Sequence, residues 1–313
     1  MKVLITGIAG FIGSNLAEEL VKKGYKVYGI DNLHTGNIEN IKNIIEDIVF
    51  LEGRSKTIIN LNEKFDVIFH LGTYSSSPMY KQNPFLVNEV VEDMMAILEY
   101  AKKNNSKIIF SSSSSLYNLN PIPWNENMEI KVTDYYTEAK YLCERLCELY
   151  AKLFKIKCIS LRYFSVFGEN EEYKGKYANV ITQMVWHALN QKEFEIFGDG
   201  SQSRDLIYVK DVVEANLKAM EFEDFNKIPF EIFNVGSGKN YSFNDMANIV
   251  KKFLDLRVKY VNNPINNYVH HTLADTTKAK EILKFKTKFE VEKILPKIIE
   301  YYSKKIQKIK IKI

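Results

Sequence analysis

Short apolar runs alternate with longer amphipathic stretches through the first half of the chain. The first run, KVLIT at 2–6, has the continuous apolar character of a strand buried on both faces. Further strands are expected at 26–31, 48–52, 65–71, 107–112 and 157–164. Apolar residues recur with helical spacing from the first glycines to residue 23, at 88–103 and at 136–154. Strands alternating with helices pair in parallel through right-handed crossovers, so the pattern predicts an α/β fold with a doubly wound parallel sheet. After about residue 165 the pattern loosens. Short strands at 195–198, 206–209 and 231–236 mix with helices at 178–190, 211–220 and 243–254, which predicts a smaller α/β lobe folded back on the first. Residues 1–165 are thus expected to form the first domain. Residues 166–313 form mainly the second lobe, with some chain returning to the first. No linker rich in Pro, Gly or Ser separates them, and no internal repeat is visible.

Composition narrows the class. A chain of 313 residues fits one large or two closely packed domains. With 46% apolar and 26% charged residues, disordered and collagen-like chains are excluded. The 43 basic and 39 acidic residues leave a net charge of +4, too balanced for a nucleic-acid binder. Only five of those cations are Arg, so an Arg in a promising loop carries extra weight. Three cysteines (Cys143, Cys147, Cys158) form neither a disulfide framework nor a CxxC zinc pair. They read as small apolar packing residues and imply a reduced, cytoplasmic setting. No apolar run approaches 18 residues, so no membrane span is expected. The apolar N-terminus is interrupted by glycines and lacks a small-residue cleavage site, so it reads as structure rather than a signal peptide. The five histidines show no metal-ligand spacing, and no metal is expected. Five lysines in the last ten residues read as a solvated tail, with an edge strand or an anionic surface contact as the alternative.

The turn after the first strand reads Thr6-Gly7-Ile8-Ala9-Gly10-Phe11-Ile12-Gly13. Gly7 permits a tight turn, Gly10 a close backbone approach to a pyrophosphate, and Gly13 close packing of the helix on the strand. The helix N-terminus offers free N–H groups and a positive dipole end to the phosphates. Asp31 closes the second strand, where a carboxylate accepts from both ribose hydroxyls and repels a 2′-phosphate. No Arg follows it in the DNLHTG turn, so NAD is favoured over NADP.

The GxxGxxG spacing resembles that of the short-chain dehydrogenase/reductase superfamily, whose Rossmann-like domain carries a catalytic Tyr-x-x-x-Lys pair with a Ser or Thr upstream. Tyr136 and Lys140 match it. With 19 Tyr and 38 Lys, about two such pairs arise by chance, and two occur, the other being Tyr301 and Lys305. Context separates them. Tyr136 follows a strand ending in FSSSSSLY by about 20 residues and sits at a helix start behind Thr133 and Asp134. Tyr301 has no such serine strand behind it. Residues i and i+4 share a helix face. Lys140 can therefore favour the Tyr136 phenolate, and a fall in pKa from ~10 towards ~7 corresponds to roughly 4 kcal/mol. A serine hydroxyl can polarise the substrate oxygen and share its proton. SSSSSLYN resembles the SSSxxVYG motif of the extended branch of the superfamily. Counting back from Tyr117 places the catalytic serine at Ser113, ahead of Ser112 and Ser114.

The resemblance extends over nearly the whole chain and points to the UDP-glucose 4-epimerase family. It is carried by DNLHTG (31–36), FHLGTYSSSP (69–78), Asn88, LRYFSVFG (161–168), FGDGSQSRDLIYVKDV (197–212), FNVGSG (233–238) and LADTTKAKEIL (273–283). It implies a cofactor site that also uses Phe11, Ile12, Asn32, Leu71, Asn88, Tyr136 and Lys140, the last holding the ribose. It further implies a UDP-linked sugar against Ser113, Ser165, Asn179, Phe197, Arg204 and Thr272, and a homodimer paired through the helices at 88–103 and 136–154. Asn179 and Arg204 would take the diphosphate, and Phe197 would lie beside the uracil. Arg204 is also independently notable, as one of five Arg in a turn between strands. Three departures stand out. Ser165 replaces the Asn of RYFN, Gly53-Arg54 replaces a Gly-Asp pair that contacts adenine, and NPINNYVHHT lacks a second diphosphate-binding Arg.

Related 4,6-dehydratases and decarboxylases carry an acid beside the catalytic Ser or Thr, where this chain has Ser114 and Ser115. That favours plain 4-epimerisation. NAD accepts a hydride from C4, Tyr136 takes the hydroxyl proton, and the 4-keto sugar turns before the hydride returns. A dehydratase or decarboxylase is the alternative enzyme, and a non-catalytic NAD-sensing scaffold the non-enzymatic one. In the resembling family, the residue two before Ala274-Asp275 lies beside the sugar's 2-position. Here it is Thr272, small enough to admit an acetamido group, so UDP-N-acetylglucosamine is an expected substrate as well.

Overall fold

The computed structural model describes residues 1–263 and 269–306. In the first half, β1 (Lys2–Thr6), α1 (Phe11–Lys22), β2 (Lys26–Asp31), β3 (Ile48–Glu52), β4 (Val67–His70), α2 (Ser77–Gln82), α3 (Leu86–Asn104), β5 (Lys107–Ser113), α4 (Tyr135–Phe154) and β6 (Cys158–Tyr163) follow in order. The second half contributes β7 (Ser165–Phe167), α5 (Val180–Leu189), β8 (Phe194–Phe197), β9 (Ser203–Tyr208), α6 (Val209–Glu221), β10 (Phe230–Val235), β11 (Asn240–Ser242), α7 (Phe243–Lys251), β12 (Val258–Val261), α8 (Thr277–Glu281) and α9 (Val291–Ile306).

Seven of these strands form one parallel sheet in the order β10-β6-β5-β4-β1-β2-β3. The order reverses between β1 and β4, the switch point beyond whose strand ends ligands bind in doubly wound sheets. Helices cover both faces. Val3, Ile5, Leu16 and Leu20 belong to one apolar core, and Leu4, Ile68, Met94 and Ile97 to the other. Cys143, Cys147 and Cys158 are free thiols buried in that second core.

The smaller lobe holds a three-stranded sheet, β11-β9-β7, and a parallel pair, β12-β8. Its core gathers Met184, Trp186, Ile196, Met246 and Tyr302, and it takes in Phe11 from the start of α1. The strand expected at 231–236 lies elsewhere than its sequence neighbours suggest. As β10 it pairs with β6 and completes the large sheet, because Phe233 and Val235 are buried in the first core beside Leu161. Among the described residues, no helix is long and apolar enough to cross a membrane. Residues 307–313, most of the expected lysine-rich tail, lie outside the described part, as do 264–268 of the segment lacking the second Arg.

Candidate active site

β1 delivers the chain into a turn that admits no side chain at positions 7 and 13. Gly7 adopts φ +73, and a Cβ on it would sit 2.8 Å from the backbone of Gly72. A Cβ on Gly13 would run into the carbonyl oxygen of Gly7, so α1 packs directly on the turn that launches it. Gly10 is the N-cap of α1 in extended conformation, with no side chain capping the helix. The first-turn amides thus remain open to an anion. Gly7, Gly10, Phe11, Ile12 and Gly13 all line one cavity of about 440 Å³.

Asp31 ends β2 on the same cavity. Its carboxylate accepts from the Ala9 amide (2.9 Å) and the Leu33 amide (2.8 Å). Burial raises its pKa. A carboxylate offers about four acceptor sites, so two remain for ribose hydroxyls. Asn32 and Leu71 line the cavity too. This glycine cradle, open helix end and acceptor at the second strand fit a dinucleotide. Asn88, on α3, does not reach the wall.

The reactive groups stand where β5 and α4 meet. Ser113 is the last residue of β5. α4 starts from a capping box in which Asp134 and Thr137 satisfy each other's backbone amides. That box fixes Tyr136 and Lys140 one turn apart, facing Ser113. The Ser113 hydroxyl lies 2.7 Å from the Ser115 hydroxyl and accepts from the Ser115 amide at 3.2 Å. Buried Lys140 donates to Thr73 Oγ1 and to the Ser111 carbonyl, each at 2.6 Å.

In the chain alone, the phenol of Tyr136 is pushed up to about 12. Burial is the largest cause, and hydrogen bonding with Ser113 and Ser115 offsets only part of it. Burial also brings Lys140 down to about 8. The reason is collective desolvation. The ammonium is engaged by Thr73 and Ser111 and lies 5.9 Å from the Tyr136 ring centre, so the chain alone does not stabilise a phenolate. The neighbouring His70 is held neutral, its pKa brought down to about 3 by burial and by Lys140.

The smaller lobe closes the cavity with Ser165, Arg204 and Thr272. The Arg204 guanidinium donates to the Ser203 carbonyl (2.8 Å) and lies 5.4 Å over the Phe243 ring. Thr272 Oγ1 accepts from the Asp205 amide (2.9 Å). Buried Asp205 in turn accepts from the amides of Ser237, Gly238 and Ala274, pinning three separate segments together. Asn179 and Phe197 are not in the wall. Asn179 caps α5 by accepting from the Ile181 amide (3.2 Å), and Phe197 ends β8. Tyr301, of the chance pair, bonds to Asn170 (2.6 Å) away from the cavity.

Several wall residues escaped sequence reasoning. Thr73 lies within the FHLGTYSSSP segment without being singled out by it, and Trp124 and Lys174 have no motif to mark them. Arg54 was noted as a departure, and the structure shows its partners. It meets Asp93 at 3.2 Å and Glu92 at 3.1 Å, and it donates to the Glu89 carbonyl at 2.8 Å. Asp93 lies in the wall with it.

Residues 3–236 match the NAD dependent epimerase/dehydratase family. A UDP-N-acetyl-alpha-D-glucosaminuronate decarboxylase of Bacillus cytotoxicus is 30% identical, with 96% of this chain and 97% of that one covered. The solved UDP-glucose 4-epimerase of Thermotoga maritima, holding UDP-glucose, superposes with a TM-score of 0.90 at 31% identity, covering 98% of this chain and 100% of that one. A UDP-N-acetylglucosamine 4-epimerase of Methanobrevibacter ruminantium, holding UDP-N-acetylmuramic acid, gives 0.91 at 30% identity, covering 97% and 98%. With a glycine cradle for the dinucleotide and Ser113, Tyr136 and Lys140 gathered on the same cavity, this chain belongs to the NAD-dependent epimerase/dehydratase family, whose members here are enzymes acting on nucleotide sugars.

Proposed function

We propose that the protein interconverts the C4 epimers of a UDP-linked hexose. The observation that carries this reading is the pair Ser114-Ser115 beside Ser113, both on the cavity wall. The resembling dehydratases and decarboxylases carry an acid at that position, which handles a proton at the sugar's outer carbons. The carboxylates among the described wall residues are Asp31 and Asp93, both beside the ends of β2 and β3, at the far side of the switch point from Ser113.

Under this reading Tyr136 takes the proton of the C4 hydroxyl, and Ser113 donates a hydrogen bond to the same oxygen. Lys140 orients the phenol and holds the cofactor ribose. NAD, held by the glycine cradle, Asp31 and Lys140, would supply the hydride chemistry at C4 and a positive charge that favours the Tyr136 phenolate. Arg204 anchors the diphosphate, so the sugar end turns while the nucleotide end stays. The UDP-glucose seen in the Thermotoga maritima enzyme supports a UDP-linked substrate.

Thr272 sets the room beside the sugar's 2-position, and the Methanobrevibacter ruminantium neighbour supports an N-acetylated substrate. Thr272→Tyr is expected to suppress turnover of UDP-N-acetylglucosamine while sparing UDP-glucose. Equal effects on both would remove Thr272 from this role. We further infer a homodimer through α3 and α4, since Leu149 and Leu153 lie exposed on α4, and a cytoplasmic setting, in keeping with the three free buried thiols.

The test of the reaction is NMR identification of products from UDP-glucose, UDP-N-acetylglucosamine and UDP-glucuronate in D₂O. The expected product is the C4 epimer with no deuterium on carbon. Deuterium at C5, a 6-deoxy-4-keto sugar or a UDP-pentose would overturn 4-epimerisation in favour of the dehydratase or decarboxylase reading.

A further inference from the structure

A bound NAD places a doubly charged pyrophosphate at the N-terminus of α1. The turn 7–13 contributes backbone amides and a helix dipole there, but no cationic side chain. The Lys and Arg side chains of the described cavity wall are Arg54, Lys140, Lys174 and Arg204. Three of them stand elsewhere. Arg54 sits beyond β3 among carboxylates, Lys140 beside Tyr136, and Arg204 on β9 over Phe243.

Lys174 stands over the first residue of α1, its Nζ 5.3 Å from the centre of the Phe11 ring. It comes from the smaller lobe, in the short 3-10 segment Glu172–Tyr177, which is kinked at Gly175. The stretch leading into that segment is stapled to α1. Asn15 donates to the Glu169 carbonyl (3.0 Å), and Asn170 donates to Ser14 Oγ (3.0 Å).

The lysine also has a rigid base. Glu171 is fully buried and accepts from the Asn179 amide (2.6 Å) and from Thr182 Oγ1 (2.7 Å). It meets Lys174 at 3.2 Å. The flanking acids have lysines of their own, Lys297 for Glu169 and Lys305 for Glu172. Of these three lysines, Lys174 alone lines the cavity. An ammonium carries three protons, and one bond to Glu171 leaves donors for a second anion.

We propose that Lys174 is a cofactor-binding residue that clamps the pyrophosphate of NAD from the smaller lobe. The cofactor is then held between a helix end of one lobe and an anchored cation of the other. Lys174 holds this role whichever sugar reaction the enzyme performs, because the anion it meets belongs to the cofactor.

The test uses purified enzyme as wild type, Lys174→Met and Lys174→Arg. Dissociation constants are measured for NADH by fluorescence, and for ADP-ribose, adenosine and the nucleotide sugar by calorimetry. Loss of one charge-assisted hydrogen bond predicts that Lys174→Met weakens NADH and ADP-ribose on the order of ten- to a hundredfold. Its affinity should also fall less steeply with added salt. Adenosine, which lacks the pyrophosphate, should bind as in wild type, and Lys174→Arg should recover most of the loss. Unchanged NADH affinity in Lys174→Met would overturn the proposal. So would equal weakening of adenosine, which signals general damage. A loss confined to the nucleotide sugar would assign Lys174 to the substrate diphosphate instead, and overturn it as well.

Discussion

At the cofactor end of the cavity the wall residues follow strands of the large sheet. Gly7 follows β1, Asp31 ends β2, Leu71 follows β4 and Ser113 ends β5. At the substrate end, Ser165 opens β7, Arg204 lies on β9 and Thr272 sits on an irregular segment. Those last three are held together by contacts such as Thr272 to Asp205, 67 residues apart. A parallel sheet brings successive strand ends to one edge by topology alone, so most of the cofactor end follows from local motifs, with Lys174, among the described residues, its one wall cation from the smaller lobe. The substrate end needs long-range packing to exist at all. Substitutions at the strand ends can therefore be separated from those at the substrate end.

The largest effect tests the boundary between the two ends. Tyr136→Phe should lower kcat by a factor on the order of 10²–10⁴ while leaving cofactor retention at the wild-type level. Comparable loss of NAD(H) in the purified variant would place Tyr136 in binding rather than in proton transfer. A smaller effect separates the ends by affinity. Asp31→Ala removes the ribose acceptor and should weaken NAD about ten- to a hundredfold, with NADP much less affected. Calorimetry with the nucleotide sugar should show no change. An intact preference for NAD, or an equal loss of sugar affinity, would break the separation.

The smallest effect is a displaced pH limb. Lys140 titrates below its usual range, at about 8, so its ammonium is lost as pH rises through that value. The pH profile of kcat/KM should therefore fall on its alkaline side from about 8. Lys140→Arg stays charged and should move that limb upward, whatever its absolute rate. A limb that keeps its place would assign the titration to another group.

Much of the cofactor end was readable because its chemistry is local. Glycines at fixed steps, an acid at the next strand end and a Tyr-Lys pair one helical turn apart each lie within a few residues of sequence. Features set by long-range packing were less legible. β10 was grouped with its sequence neighbours, yet Phe233 and Val235 find their burial beside β6 in the large sheet. Asn179 caps α5 and Phe197 ends β8, both off the cavity wall, so their expected contacts with the diphosphate and the base rest on the resemblance alone.

The sequence by itself determined the strand–turn–helix order, the glycine cradle, Asp31, and the shared helix face of Tyr136 and Lys140, since each depends on spacing along one or two adjacent elements. Tertiary structure decided what surrounds them. Thr73 and the Ser111 carbonyl hold Lys140, burial pushes Tyr136 up to about 12, and Lys174 arrives over Phe11 from the other lobe. Desolvation and clamping sum over groups that are neighbours only after folding, and no local pattern encodes such a sum.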